Sequence, residues 1–216
     1  MWPFRKGTQF KSMRKTVTEL ESLGFYKYAP AEHVDLLKQR AVKNGDLFGD
    51  LVFPPDSNNL RLPKSWKEEP LVTTFRAFHL DAELIAEGGA VPIIKFLEPF
   101  LVAAGMTPIP NLHQGVDDGG YYITSGDAKS YIYLNDDREQ NGPWLATEAR
   151  FFDFANRLLE LSGCNNHLYG LYYGNDLCAC LLSPPMFDVI QGSSLPAEHR
   201  PYKTCPYPPW VVAPRD

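Results

Sequence analysis

The stretch YGLYYGNDLCACLL, Tyr169 to Leu182, decides how the rest of the chain is read. Aromatic and apolar runs flank Gly174-Asn175-Asp176, residue types that accept the backbone of a tight turn. The stretch therefore predicts a hairpin with strands over 168–173 and 177–182. On a strand, residues two apart share a face. Cys178, Cys180 and Leu182 then point one way, and Leu177, Ala179 and Leu181 the other. Both faces are apolar, the pattern of a central strand covered on each side.

That placement bears on the cysteines. Structural zinc takes four sulfur or nitrogen ligands in a tetrahedron. Cys178 and Cys180 could supply two, with Cys164 and His167, or Cys205 and His199, completing the set. The spacings match no ribbon or finger, and free cysteine is among the most buried residue types. Core thiols are the expectation, with no metal and no cofactor. A Cys164–His167 nucleophile pair is also conceivable, although catalytic pairs are usually distant in sequence.

Working outward, 143–162 is a helix. Proline stands at its start and Gly163 at its end. Two apolar stripes run along it, Leu145, Phe152, Ala155 and Leu159 beside Phe151, Phe154, Leu158 and Leu161. So broad an apolar face places the helix at the centre of the core. Upstream lies a meander: a strand near 111–116, Tyr121 to Thr124, and Lys129 to Leu134 after the Gly126-Asp127 turn. Residues 71–79, LVTTFRAFH, form a further strand. Shorter helices are expected over 16–23, 30–43, 81–89, 92–104, with a kink at Pro99, and 184–191. The segment 46–70 reads as a long loop. These elements predict an α+β fold: one antiparallel sheet of five or six strands flanked by helices, with an extended Pro-rich tail. The domain plan is a basic arm over 1–15, a single globular domain over 16–192 and the tail over 193–216, where Trp210 could anchor.

The net charge of −5 is unevenly distributed. The first forty residues hold eight basic and four acidic side chains, which leaves −9 on the remainder. An acidic body disfavours nucleic acid and favours a basic protein partner. The arm, with Trp2, Phe4 and Phe10 among its cations, could touch an anionic surface. No apolar run is long enough for a transmembrane helix, and the basic N-terminus is not followed by a signal-type apolar stretch. A cytoplasmic location is expected.

No Gly-rich phosphate loop, dinucleotide fingerprint, His-Glu-x-x-His or Gly-x-Ser-x-Gly motif is present. What stands out is tyrosine: Tyr121, Tyr122, Tyr131, Tyr133, Tyr169, Tyr172 and Tyr173 lie on neighbouring strands. Tyrosine supplies large rigid contact area at interfaces. The contact residues expected are Asp117, Asp118, Tyr121, Tyr131, Tyr133, Asp136 and Asp137, on strands and flanking loops. The function they favour is non-enzymatic binding, like that of an immunity or adaptor protein. The alternative is a hydrolase working through Asp117, Asp118, Asp136 and Asp137, or through Glu148 and Asp153.

Overall fold

A computed structural model describes residues 5–52, 71–107, 111–126, 128–139, 143–171 and 178–204. In chain order the elements are α1 (Arg5–Ser22), α2 (Val34–Asn44), β1 (Ala77–His79), α3 (Ala82–Leu84), α4 (Ala90–Ala103), β2 (Leu112–Asp117), β3 (Gly120–Ser125), β4 (Ala128–Leu134), α5 (Pro143–Leu161), β5 (His167–Leu171), β6 (Cys178–Leu182) and α6 (Pro184–Gln191). The fold is α+β. No helix among the described residues is long and apolar enough to cross a membrane.

The single sheet expected from the sequence is instead two. β1-β6-β5 forms one antiparallel three-stranded sheet and β2-β3-β4 the other. The helices explain the separation. α5 touches β4 of one sheet and β5 of the other, and α4 touches α5 and β2. One core then runs through Leu97, Ile123, Ile132, Phe151, Phe152, Leu168, Ala179 and Leu181. Apolar surface on both sheets is buried by the same two helices, so the sheets need not pair at their edges.

β6 is the central strand of its sheet. Ala179 and Leu181 face the α4–α5 core. Cys178, Cys180 and Leu182 face a second core built with Met13, Val17 and Leu20 of α1, Leu37 and Ala41 of α2, and Met186 and Ile190 of α6. Tyr172, Tyr173 and the 174–177 turn lie outside the described residues.

The 71–79 strand is shorter than its composition predicts. Thr73 Oγ1 accepts the Phe75 N–H at 3.1 Å and Thr74 Oγ1 accepts that of Arg76 at 3.3 Å. These local bonds offer the backbone an alternative to a ladder, and Phe75 turns to φ 52°. Regular pairing starts only at Ala77. Residues 49 and 52 of the expected loop bridge to Thr73 and Phe78; its remainder, 53–70, lies outside the described residues. α1 begins at Arg5 rather than Thr16 and buries Met13 at 3% exposure. α4 carries Pro99 within an unbroken span. The described part of the tail holds a short helical turn at Ala197–His199 and a bridge from Tyr202 to Gly170. Trp210 lies outside the described residues.

Candidate functional site

The meander sheet has one face in the core and one in solvent. Gly115 of β2 stands opposite Tyr122 of β3, which stands opposite Tyr131 of β4. The two rings meet edge to face, 6.0 Å between centroids. Beneath them the glycines matter for space. A Cβ on Gly115 would lie 2.6 Å from the Tyr122 hydroxyl, and one on Gly119 would lie 2.9 Å from the Tyr131 ring. Only the lack of a side chain lets both phenols lie low across the strands.

Lys129 completes this platform. Its Nζ sits 3.9 Å from the Tyr122 centroid and 4.7 Å from that of Tyr131, within cation–π range. It also donates to Asp117 Oδ2 at 2.5 Å. The Tyr131 hydroxyl donates to the same carboxylate at 3.0 and 3.1 Å, and the Gly119 N–H at 2.9 Å. The Lys129 ammonium is the main cause that holds the Asp117 carboxyl below its ordinary range, with Gly119 and Tyr131 adding to it. Asp117 reciprocally holds Lys129 above its own. The result is an ordered aromatic surface whose central charges cancel.

Beyond Asp117 the chain turns through Asp118, whose carbonyl accepts from Asn135 Nδ2 at 2.9 Å. Asp118 and Asp136 are exposed, and among the described residues neither has an ion-pair partner. They put uncompensated negative charge at one end of the platform. Around the β2 edge, Gln114, Val116, Tyr121, Tyr133, Asn135 and Trp144 line an open groove of about 580 Å³. Val116 is 75% exposed there.

Not every residue expected in the contact surface reaches it. Tyr121 is buried in the core, donating its hydroxyl to Gln114 at 2.9 Å, and burial pushes its phenol up to about 12. Tyr133 is half-buried and packs against the same core. Asp137 is 1% exposed and is held in a fork: Arg150 Nη1 donates to Oδ2 at 2.5 Å and Nη2 to Oδ1 at 3.0 Å. It also accepts the Leu134 N–H at 2.7 Å. This carboxylate fastens the end of β4 to α5 and presents no atom to a partner. Tyr122, with Gly115 and Gly119, lies outside the expected set; glycines beside the tyrosine strands are the available signal.

The cysteine–histidine group divides across a sheet. Cys164 belongs to the α4–α5 core, Cys178 and Cys180 to the opposite one. Cys164 Sγ donates to the Ala104 carbonyl at 3.4 Å, and His167 Nε2 lies 3.3 Å from Glu160 Oε1. Burial pushes the Cys180 thiol well up, against the thiolate that zinc requires. Among the described residues no three His, Cys, Asp or Glu side chains converge on a metal position. Cys205 lies outside them.

Of the second carboxylate pair, Asp153 is exposed while Glu148 is buried at 5% exposure. The partner of Glu148 is Tyr202, whose hydroxyl donates to Oε1 at 2.6 Å. Tyr202 lies over Gly170, where a Cβ would come 2.2 Å from its ring, and exchanges two backbone bonds with that residue. Burial raises the Glu148 carboxyl from 4.5 to about 7, with the Tyr202 bond opposing. The folded state thus holds the proton more tightly than the unfolded chain. Its contribution is fully present below pH 4.5 and is lost as pH rises through about 7. At roughly 1.4 kcal/mol per unit, the loss amounts to about 3–4 kcal/mol. Glu148→Gln should flatten urea-unfolding stability between those limits; an unchanged pH slope would show that Glu148 is not its source. Comparison with protein-family models, with curated proteins and with solved structures finds no match to this chain.

Proposed function

We propose that this chain is a non-enzymatic binding protein, immunity- or adaptor-like, whose contact surface is the solvent face of β2-β3-β4. The observation that carries the reading is the platform of Tyr122 and Tyr131, seated on Gly115 and Gly119 and braced by Lys129. None of these side chains is needed to fill the core. Tyrosine of this kind offers contact area at little entropic cost, and buried aromatic anchors dominate binding energy. Exposed Asp118 and Asp136 beside the platform, on a chain of net charge −5, suit a basic protein partner. α1 carries the opposite sign and suits an anionic one. The competing hydrolase reading has two of its four carboxylates occupied, Asp117 by Lys129 and Asp137 by Arg150.

Affinity capture from the native host, with the bound protein identified by mass spectrometry, tests the proposal. Tyr122→Ala and Tyr131→Ala should each weaken the captured partner by roughly thirtyfold, the size of an interface hot spot, at unchanged melting temperature. Asp118→Asn with Asp136→Asn should slow association at low salt and alter dissociation less. A partner that binds both tyrosine variants as tightly as the parent would overturn the proposal.

A further inference from the structure

α1 buries Met13, Thr16, Val17 and Leu20 against α2 and α6. Lys11, Arg14 and Lys15 lie on its opposite face and are exposed, with Phe10 at 39% exposure on the flank. Their charges are arranged at a cost to the helix. Like charges three and four residues apart repel. The helix dipole favours acids in the first turn and bases in the last, yet α1 has neither. Its cations crowd the N-terminal half, and its acids, Glu19 and Glu21, come late. Among the described residues, Lys11, Arg14 and Lys15 have no ion-pair partner, whereas Lys38 finds Glu21, Lys129 finds Asp117 and Arg150 finds Asp137. An arrangement that opposes local helix stability, with no close ion pair among the described residues to offset it, is explained by a counter-charge outside the chain.

We infer that the exposed face of α1 docks on an anionic lipid surface. Three cations within little more than one helical turn suit a plane of negative headgroups, each contributing electrostatic attraction to it. Phe10 beside them gains by entering the boundary between headgroups and acyl chains. A nucleic-acid backbone offers phosphates to the cations and nothing to that ring. The apolar stripe of α1 is already spent inside the protein, so the helix rests on the membrane surface and does not embed. The repulsion from the −9 carried beyond residue 40 is screened beyond about 8 Å at physiological salt. This surface is separate from the tyrosine platform and rests on different residues.

Co-sedimentation of the full chain with lipid vesicles tests the inference. The chain should sediment with vesicles containing a third phosphatidylserine, and much less with phosphatidylcholine alone. Lys11→Gln, Arg14→Gln and Lys15→Gln together should lower partitioning by on the order of a hundredfold, about fivefold for each cation removed. Phe10→Ala should lower it by several-fold. Raising salt on the unmodified chain should release it, a measurement that needs no variant to fold. Tyr122→Ala with Tyr131→Ala should leave vesicle binding unchanged while weakening a protein partner, so the two surfaces fail independently. Equal sedimentation with both vesicle types, indifference to the triple substitution, or tighter binding to a DNA duplex than to the anionic vesicles would overturn it.

Discussion

Arg76→Ala should lower the free energy of unfolding by about 3–5 kcal/mol, measured by urea titration at constant m-value. Arg76 is fully buried, and its guanidinium is satisfied without an ion pair among the described residues. Nε donates to the Phe25 carbonyl at 2.5 Å, Nη1 to that of Leu181 at 2.8 Å and Nη2 to that of Gly24 at 3.0 Å. The rings of Phe25 and Tyr28 lie 5.4 and 4.6 Å from Cζ. Burial pushes its pKa down to about 10, with Tyr28 and Cys180 opposing, so the group stays charged at neutral pH. It joins the turn after α1, the segment entering β1 and the end of β6. Truncation takes this donor from the Phe25 and Leu181 carbonyls, each loss costing about 1–3 kcal/mol, and adds a cavity; the Gly24 carbonyl keeps the Lys27 N–H at 3.2 Å. Relief from burying a charge offsets part of this. Arg76→Met separates the two contributions: it keeps most of the volume, drops the charge and still takes the guanidinium donors from Phe25 and Leu181. A Met variant as stable as the parent would mean that the charge costs as much as its bonds return. An alanine variant within about 1 kcal/mol of the parent would mean that water replaces the guanidinium.

Nothing in LVTTFRAFH marks Arg76 for this role, because its acceptors are more than fifty residues before it and a hundred after. Sequence pattern reports the local period well and the long-range partner poorly. Alternating apolar faces placed β6 at the centre of a sheet, and Cys178 and Ala179 do face different cores. The helix over α5 was legible from proline, glycine and spacing. Its stripes overreached at both ends: Leu145 is 50% and Leu161 75% exposed, since the helix runs past the core it covers. Which strands share a sheet was not legible, because apolar parity says a face is buried and not what buries it. The candidate site shows the same limit. Its tyrosines were visible as a group, but their facing depends on an irregular register between Tyr121 and Tyr122, where Ile132 is the extra residue on β4. That bulge leaves Tyr121 inward and Tyr131 outward. In the sequence Asp137 reads as a loop acid; in the fold Arg150, thirteen residues on, holds it inside.

Phe152→Ala should cost about 3–5 kcal/mol, since loss of transfer energy and creation of a cavity add at a fully buried ring. Phe152 has no exposed surface, and its ring meets that of Phe151 edge to face at 6.1 Å. The expectation rests on where α5 stands. It reaches both sheets, so its apolar face closes the α4–α5 core over β4 and β5 together. The rigid surroundings leave little room for the gap to collapse, which puts the cost in the upper part of the range for large-to-small changes. Leu161→Ala on the same helix provides the contrast. At 75% exposure it should change stability by no more than about 0.5 kcal/mol. Both values come from urea unfolding followed by fluorescence and by circular dichroism. If α5 couples the two sheets, the two probes should fall at one midpoint in parent and variant alike. Separate midpoints would show that the sheets unfold independently. A Phe152→Ala loss below about 1 kcal/mol would show that α5 does not close the core with this face.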